Sequence, residues 1–151
     1  MIEQKLAELG IVVPEAPKPL ASYVPAVVTG DFVFTSGQLP MQNGALQFPG
    51  QLGAGVSIDE GKKAARISVI NCLSVIKSVI GDLEQIEHVV KVTVFISSAP
   101  GFGEQPEVAN GASDLLLEIF GEAGKHSRSA VGVSALPRNA AVEIEMIVKV
   151  K

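Results

Sequence analysis

Arg128, Glu143 and Glu145 are the side chains of this sequence best placed to do chemistry. Arg128 lies in GKHSRSAVGVSALP, at the entry of a segment of small residues, Ser129 to Val133. Arginine offers a rigid, permanently charged fork that can hold a carboxylate through two parallel hydrogen bonds. The small neighbours leave room for such a ligand. Glu143 and Glu145 alternate with apolar residues in VEIEMIVKV. Both therefore sit on the polar face of a strand, where a fixed carboxylate can place a water or carry a proton. A simpler reading competes: Arg128 as a strand-edge cation paired with Glu143 or Glu145. On spacing alone the ion pair is favoured.

Other residues are weaker candidates. Tyr23 is the sole tyrosine, and Ser36-Gly37 ends a strand where a glycine permits close backbone approach by a ligand. Each has a plain alternative, a packing residue and a turn. His126 precedes Arg128 by two positions and shares its strand face, whereas His88 reads as a surface residue. Cys72 falls inside an apolar helical pattern and reads as core. With one cysteine and two histidines, no spacing suggests a metal site. Phosphate-loop, dinucleotide, HExxH and GxSxG patterns are absent.

The elements that must position these residues follow from periodicity. Ile2, Leu6 and Leu9 predict a short amphipathic helix stopped by Gly10. Pro14, Pro17 and Pro19 then favour an extended linker, so residues 1–20 read as an N-terminal arm on a single domain, 21–151. Ala26–Val28 and Phe32–Ser36 read as strands joined at Gly30-Asp31. Residues 40–57 read as a loop with a short strand near Ala45–Phe48. Ser57 with Glu60 forms a capping box before a helix that Gly81 ends. Val89–Ser98 is a strand, with Val90, Val92, Val94 and Ile96 on one face. Glu107–Phe120 is a helix, and Ser127–Ala135 and Ala141–Val150 are strands.

The order β-β-(β)-α-β-α-β-β predicts an α+β layer with a mixed sheet and two helices on one face. No helix remains for the other face, which is expected to carry Phe95, Ala130 and Gly132. Small and apolar residues facing outward predict burial against other copies of the chain.

Composition narrows the function. The chain has 151 residues, 47% hydrophobic and 19% charged, which fits one globular domain. A net charge of −4 with no basic stripe weighs against a nucleic-acid partner. The opening MIEQKLAELG carries charges where a signal peptide is apolar, and residues 64–80 are broken by Arg66, Asn71 and Lys77. A cytoplasmic protein with no membrane span is expected.

Three segments together resemble the YjgF/RidA (endoribonuclease L-PSP) family. They are YVPAVVTGDFVFTSGQLP from Tyr23, VVKVTVFI from Val89 and RSAVGVSALPRNAAVEIE from Arg128. The resemblance covers most of the chain from about Ser22. It implies a chorismate-mutase-like α+β fold and a homotrimer with sheets inward, helices outward and ligand clefts between subunits. For the deaminating branch it implies hydrolysis of 2-imino or 2-enamino acids to 2-oxo acids and ammonia, without cofactor or metal. Arg128 would then bind the substrate carboxylate and Glu143 would place the attacking water. Tyr23, Ser36 and Gly37 would line the cleft.

Many members of that branch carry cysteine two residues after the arginine. Ala130 stands there in this chain, so only backbone contacts to ligand remain at that position. A cleft asparagine of the family corresponds to Asn110 or Ser113. The arm, the loop Pro100–Pro106 and FGEAGKHSR mark a side branch. Two other functions stay open: a non-catalytic binder of small carboxylates or 2-oxo acids, and an endoribonuclease.

Overall fold

A computed structural model of the chain describes residues 1–18 and 22–151. The arm's expected end at residue 20, and Pro19, lie outside the described residues. Helix α1 spans Ile2–Glu8 and is followed by Gly10 at φ +69°, a left-handed turn that glycine adopts freely. Strands β1 (Ala26–Thr29) and β2 (Phe32–Thr35) form a hairpin across Gly30-Asp31. Two small pairs follow, β3 (Met41–Gln42) with β4 (Ala45–Leu46) and β5 (Gln51–Leu52) with β6 (Gly55–Val56).

Helix α2 then runs Ile58–Ile80. Its start is the expected capping box: Ser57 Oγ accepts from Glu60 N, and the Glu60 carboxylate accepts from Ser57 N, each at 3.1 Å. Gly81 ends it, at φ +86°. Strand β7 (Ile86–Ser97), helix α3 (Gln105–Phe120), and strands β8 (Ser127–Val133) and β9 (Val142–Val150) complete the chain.

The main sheet has the order β1-β2-β9-β7-β8. Only β7 and β8 pair in parallel, because α3 crosses between them; the other neighbours are antiparallel. Helices α2 and α3 cover one face. Between them and the sheet lies a core that includes Val33, Val69, Leu73, Ile76, Val92, Val94, Leu115, Ile144 and Met146, all almost fully buried. Gly61 of α2 and Gly111 of α3 let the two helices pack closely. A Cβ at Gly111 would strike the Lys62 carbonyl, and one at Gly61 would lie 3.1 Å from Val108 Cγ1.

Helix α1 is tied to this layer. Leu6 is buried, and the Glu84 carboxylate accepts from the N–H groups of Ile2 and Glu3. Ser74 Oγ donates to the Pro14 carbonyl at 2.6 Å.

Three expectations need correction. Ala130 and Gly132 do not share a face with Phe95. They pair with Val94 and Ile96, whose side chains lie under the helices, while Phe95 pairs with Val131 and Glu143 on the uncovered face. Val90 does not share the face of Val92, because the register shifts between Val89 and Lys91, so Val89 fills the core instead. The strand near Ala45–Phe48 is only two residues long, since Phe48 adopts φ +51° and leaves it.

Candidate active site

Edge strand β8 carries Arg128 opposite Val92, which in turn faces Met146; both partners are core residues. Cross-strand partners share a sheet face, so Arg128 projects to the helix side. There its Nη1 donates to Asn110 Oδ1 at 2.8 Å and to Ser113 Oγ at 3.2 Å, both on α3. Asn110 and Ser113 are three residues apart and therefore adjacent on one helix face. The two candidates left open for the family asparagine thus both hold the arginine. Nε and Nη2 make no hydrogen bond among the described residues, and no carboxylate there pairs with Arg128. The ion pair that spacing favoured, with Glu143 or Glu145, does not form, because those residues point to the other face.

His126 extends this cluster. Its Nδ1 lies 2.6 Å from the Gly124 carbonyl and its Nε2 lies 2.9 Å from Ser113 Oγ. Burial holds the imidazole below its ordinary pKa, aided by the charges of Arg128 and His88 and opposed by the Gly124 bond. Ala130 follows Arg128 on the same face and is half-buried.

Glu143 belongs to a second cluster, on the uncovered face. A Cβ at Gly37 would collide with its carboxylate, so the glycine makes the seat of the glutamate. Gly37 is held there because its neighbour Gln38 pairs with Ile144, N to O at 2.8 Å and O to N at 3.0 Å. Burial, and next the charge of Glu145, raise the Glu143 carboxyl above the ordinary glutamate value. Ser36 Oγ donates to the Val24 carbonyl at 2.7 Å and so fixes the segment that presents Tyr23, whose side chain is exposed.

Tyr23, Ser36, Gly37 and Glu143 therefore lie on or beside the uncovered face, while Arg128 and Ala130 lie on the helix side. One chain does not bring the two clusters together. Of two surface hollows, one lies beside α1 and Lys77, and the other, between α2 and α3, reaches Asn110 but neither Arg128 nor Glu143. The linkage of His126 and Ser113 to Arg128 was not foreseen from sequence. The available signals were the His-x-Arg spacing and the Asn110/Ser113 interval.

Cys72 is buried and donates to the Ile144 carbonyl; burial pushes its thiol up to about 12, which keeps it protonated. Among the described residues no three His, Cys, Asp or Glu side chains group as metal ligands, and no helix is long and apolar enough to cross a membrane.

The comparisons agree with this architecture. The YjgF/chorismate-mutase-like family model, which also carries an endoribonuclease label, matches residues 3–149. Protein TCP17 of Trypanosoma cruzi is 44% identical over 98% of this chain and 93% of its own length. A 2-iminobutanoate/2-iminopropanoate deaminase of Dermatophagoides farinae is 33% identical over 91% of this chain and 93% of its own. The crystal structure of Atu1372 from Agrobacterium tumefaciens, a protein of unknown function, superposes with a TM-score of 0.93 at 42% identity. That match covers 99% of this chain and 92% of the other. Matched by the family model over nearly its whole length, the chain belongs to the YjgF/RutC/RidA family, with its chorismate-mutase-like α+β fold.

Proposed function

We propose that this chain hydrolyses reactive 2-imino or 2-enamino acids to 2-oxo acids and ammonia, at clefts between the subunits of a homotrimer. The observation that carries this reading is the seating of Arg128. Its Nη1 rests on two neutral acceptors, which leaves its charge and its Nε–Nη2 edge for an external carboxylate.

The rest of the chemistry then follows. The uncovered face exposes Val27, Phe32, Phe34 and Val131, an apolar surface that suits a second copy of the chain. Packing of copies is the route by which Glu143 of one chain meets Arg128 of another. Glu143 takes a proton from a water as that water attacks the imine carbon. That proton passes to the imine nitrogen to give a carbinolamine. The remaining hydroxyl proton follows it to the nitrogen, and the C–N bond breaks to release ammonia as the new C–O bond becomes the 2-oxo group. A carboxyl raised towards neutral pH suits both transfers. The 33% identical deaminase supports the substrate class. The expected location is the cytoplasm.

Binding without turnover is a second reading, favoured by Ala130, which supplies no thiol. One experiment separates the two. 2-Iminopropanoate is generated from serine by a separate lyase, and its decay is followed with and without the protein. Faster decay that is lost in Arg128→Ala supports the deaminase. Unchanged decay, with Arg128-dependent thermal stabilisation by 2-oxobutanoate, supports the binder. Full activity in Arg128→Ala overturns the role given to that residue.

A further inference from the structure

We infer that His126 is a positioning residue for Arg128, acting through the hydroxyl of Ser113. The inference follows from the donors and acceptors available. A backbone carbonyl can only accept, so the 2.6 Å contact to Gly124 requires the proton on Nδ1. In the neutral ring Nε2 is then an acceptor, and the donor it meets at 2.9 Å is the Ser113 hydroxyl. Ser113 has one hydrogen. Once that hydrogen is committed to His126, the oxygen turns its lone pairs to Arg128 Nη1, 3.2 Å away. Asn110 Oδ1 takes the second Nη1 hydrogen at 2.8 Å. Both hydrogens of Nη1 are thereby engaged, the guanidinium plane is set, and its Nε–Nη2 edge is turned to the ligand.

The neutral ring is consistent with what faces it. Arg128 from β8 and His88 from β7 are the charged or titratable groups that act on it, and both disfavour a second proton. The groups it touches, Ser113 on α3 and the Gly124 carbonyl, are uncharged. A ring that rotated freely, or a hydroxyl free to donate elsewhere, would leave Arg128 with one fixed contact. Orientation of a binding group is worth far more than its mere presence.

The functional consequence rests on the deaminase reading, but the positioning itself does not, and the test separates them. Nitrogen NMR of the full-length protein is compared for the native chain, His126→Leu, His126→Gln and Ser113→Ala. The native spectrum should show His126 protonated on Nδ1 and slowed rotation of the Arg128 guanidinium. Glutamine can accept from Ser113 through its side-chain carbonyl, so His126→Gln should keep the slow rotation. His126→Leu and Ser113→Ala should lose it. Equal Arg128 signals in all four proteins overturn the inference.

Calorimetry with 2-oxobutanoate supplies the second arm. Binding should weaken on the order of tenfold in His126→Leu and in Ser113→Ala, with no further loss in the double variant. His126→Gln should recover most of it. A native chain that neither binds 2-oxobutanoate nor consumes iminopropanoate removes the deaminase reading, while the NMR still decides the role of His126. A native chain that binds, with His126→Leu binding equally well, removes the positioning role alone.

Discussion

Gly37 and Glu143 occupy one space: the side chain that glycine lacks would stand where the glutamate carboxylate sits. A Cβ at residue 37 would come within 2.9 Å of Glu143 Cδ and 3.1 Å of its Cγ. Glu143 reaches Gly37 from β9 across a backbone bridge, Gln38 to Ile144, so neither backbone can retreat easily.

A Gly37→Ala substitution should therefore separate stability from activity. The atoms it strikes are the far end of a flexible side chain, which can swing into solvent, and Gly37 needs no left-handed backbone. The stability cost should stay within about 1 kcal/mol, small against typical core overpacking. The carboxylate, however, is displaced from its seat, and turnover of iminopropanoate should fall by about tenfold or more. Melting temperature and initial rates on the same preparation check this. Full activity with a melting point like the native one would show that the position of Glu143 does not matter.

The raised carboxyl of Glu143 makes a second expectation, with a definite sign. Its folded-state pKa lies above the unfolded value, chiefly through burial. Between those two values the folded chain holds more of the proton than the unfolded chain does. Stability then falls as pH rises through that window, and the loss is complete once the folded form has ionised. Glu143→Gln cannot ionise and should not show this contribution. Thermal melts from about pH 4 to about pH 7 should accordingly show the variant gaining on the native protein as pH rises. The variant should also lose turnover. A melting-temperature difference that does not change with pH would mean that the carboxyl titrates normally.

Much of this molecule is legible in its sequence, and the exceptions share a cause. Helix α2 could be read to its ends because Ser57, Glu60 and Gly81 are local signals. Strands β7 and β9 alternate strongly enough to announce themselves. Strand β8 does not: beyond Arg128 its residues are small on both faces, so only pairing with β7 decides that Ala130 lies beside Val94 and not beside Phe95. The Val89–Lys91 shift and the two-residue pairs between β2 and α2 are likewise tertiary outcomes. At the site, residue types identified Arg128 and Glu143 as candidates. Their placement on opposite faces of the sheet depends on that same register and was not legible. Nor was the seat of Arg128, which needs α3 laid across β8 before Asn110, Ser113 and His126 can converge.

Opposite faces make the last expectation: under the proposed deamination, Arg128 and Glu143 meet only at a cleft built by more than one chain. Phe34 lies on the uncovered face, beside Val27 and Ile147, and is about two-fifths exposed in the single chain (43%). Phe34→Glu places a charge where a second copy would pack, and burying an unpaired charge is strongly unfavourable. In the isolated chain the same change is a surface substitution, costing about 0.5 kcal/mol or less. The variant should keep its circular dichroism yet run at monomer mass in size-exclusion chromatography with light scattering, where the native protein should run as a trimer. Its deaminase activity should vanish although Arg128, Ser113, His126 and Glu143 are all unchanged. A monomeric variant that still consumes iminopropanoate at the native rate would mean that one chain suffices. The chemistry would then have to be rebuilt around Arg128 or Glu143 separately.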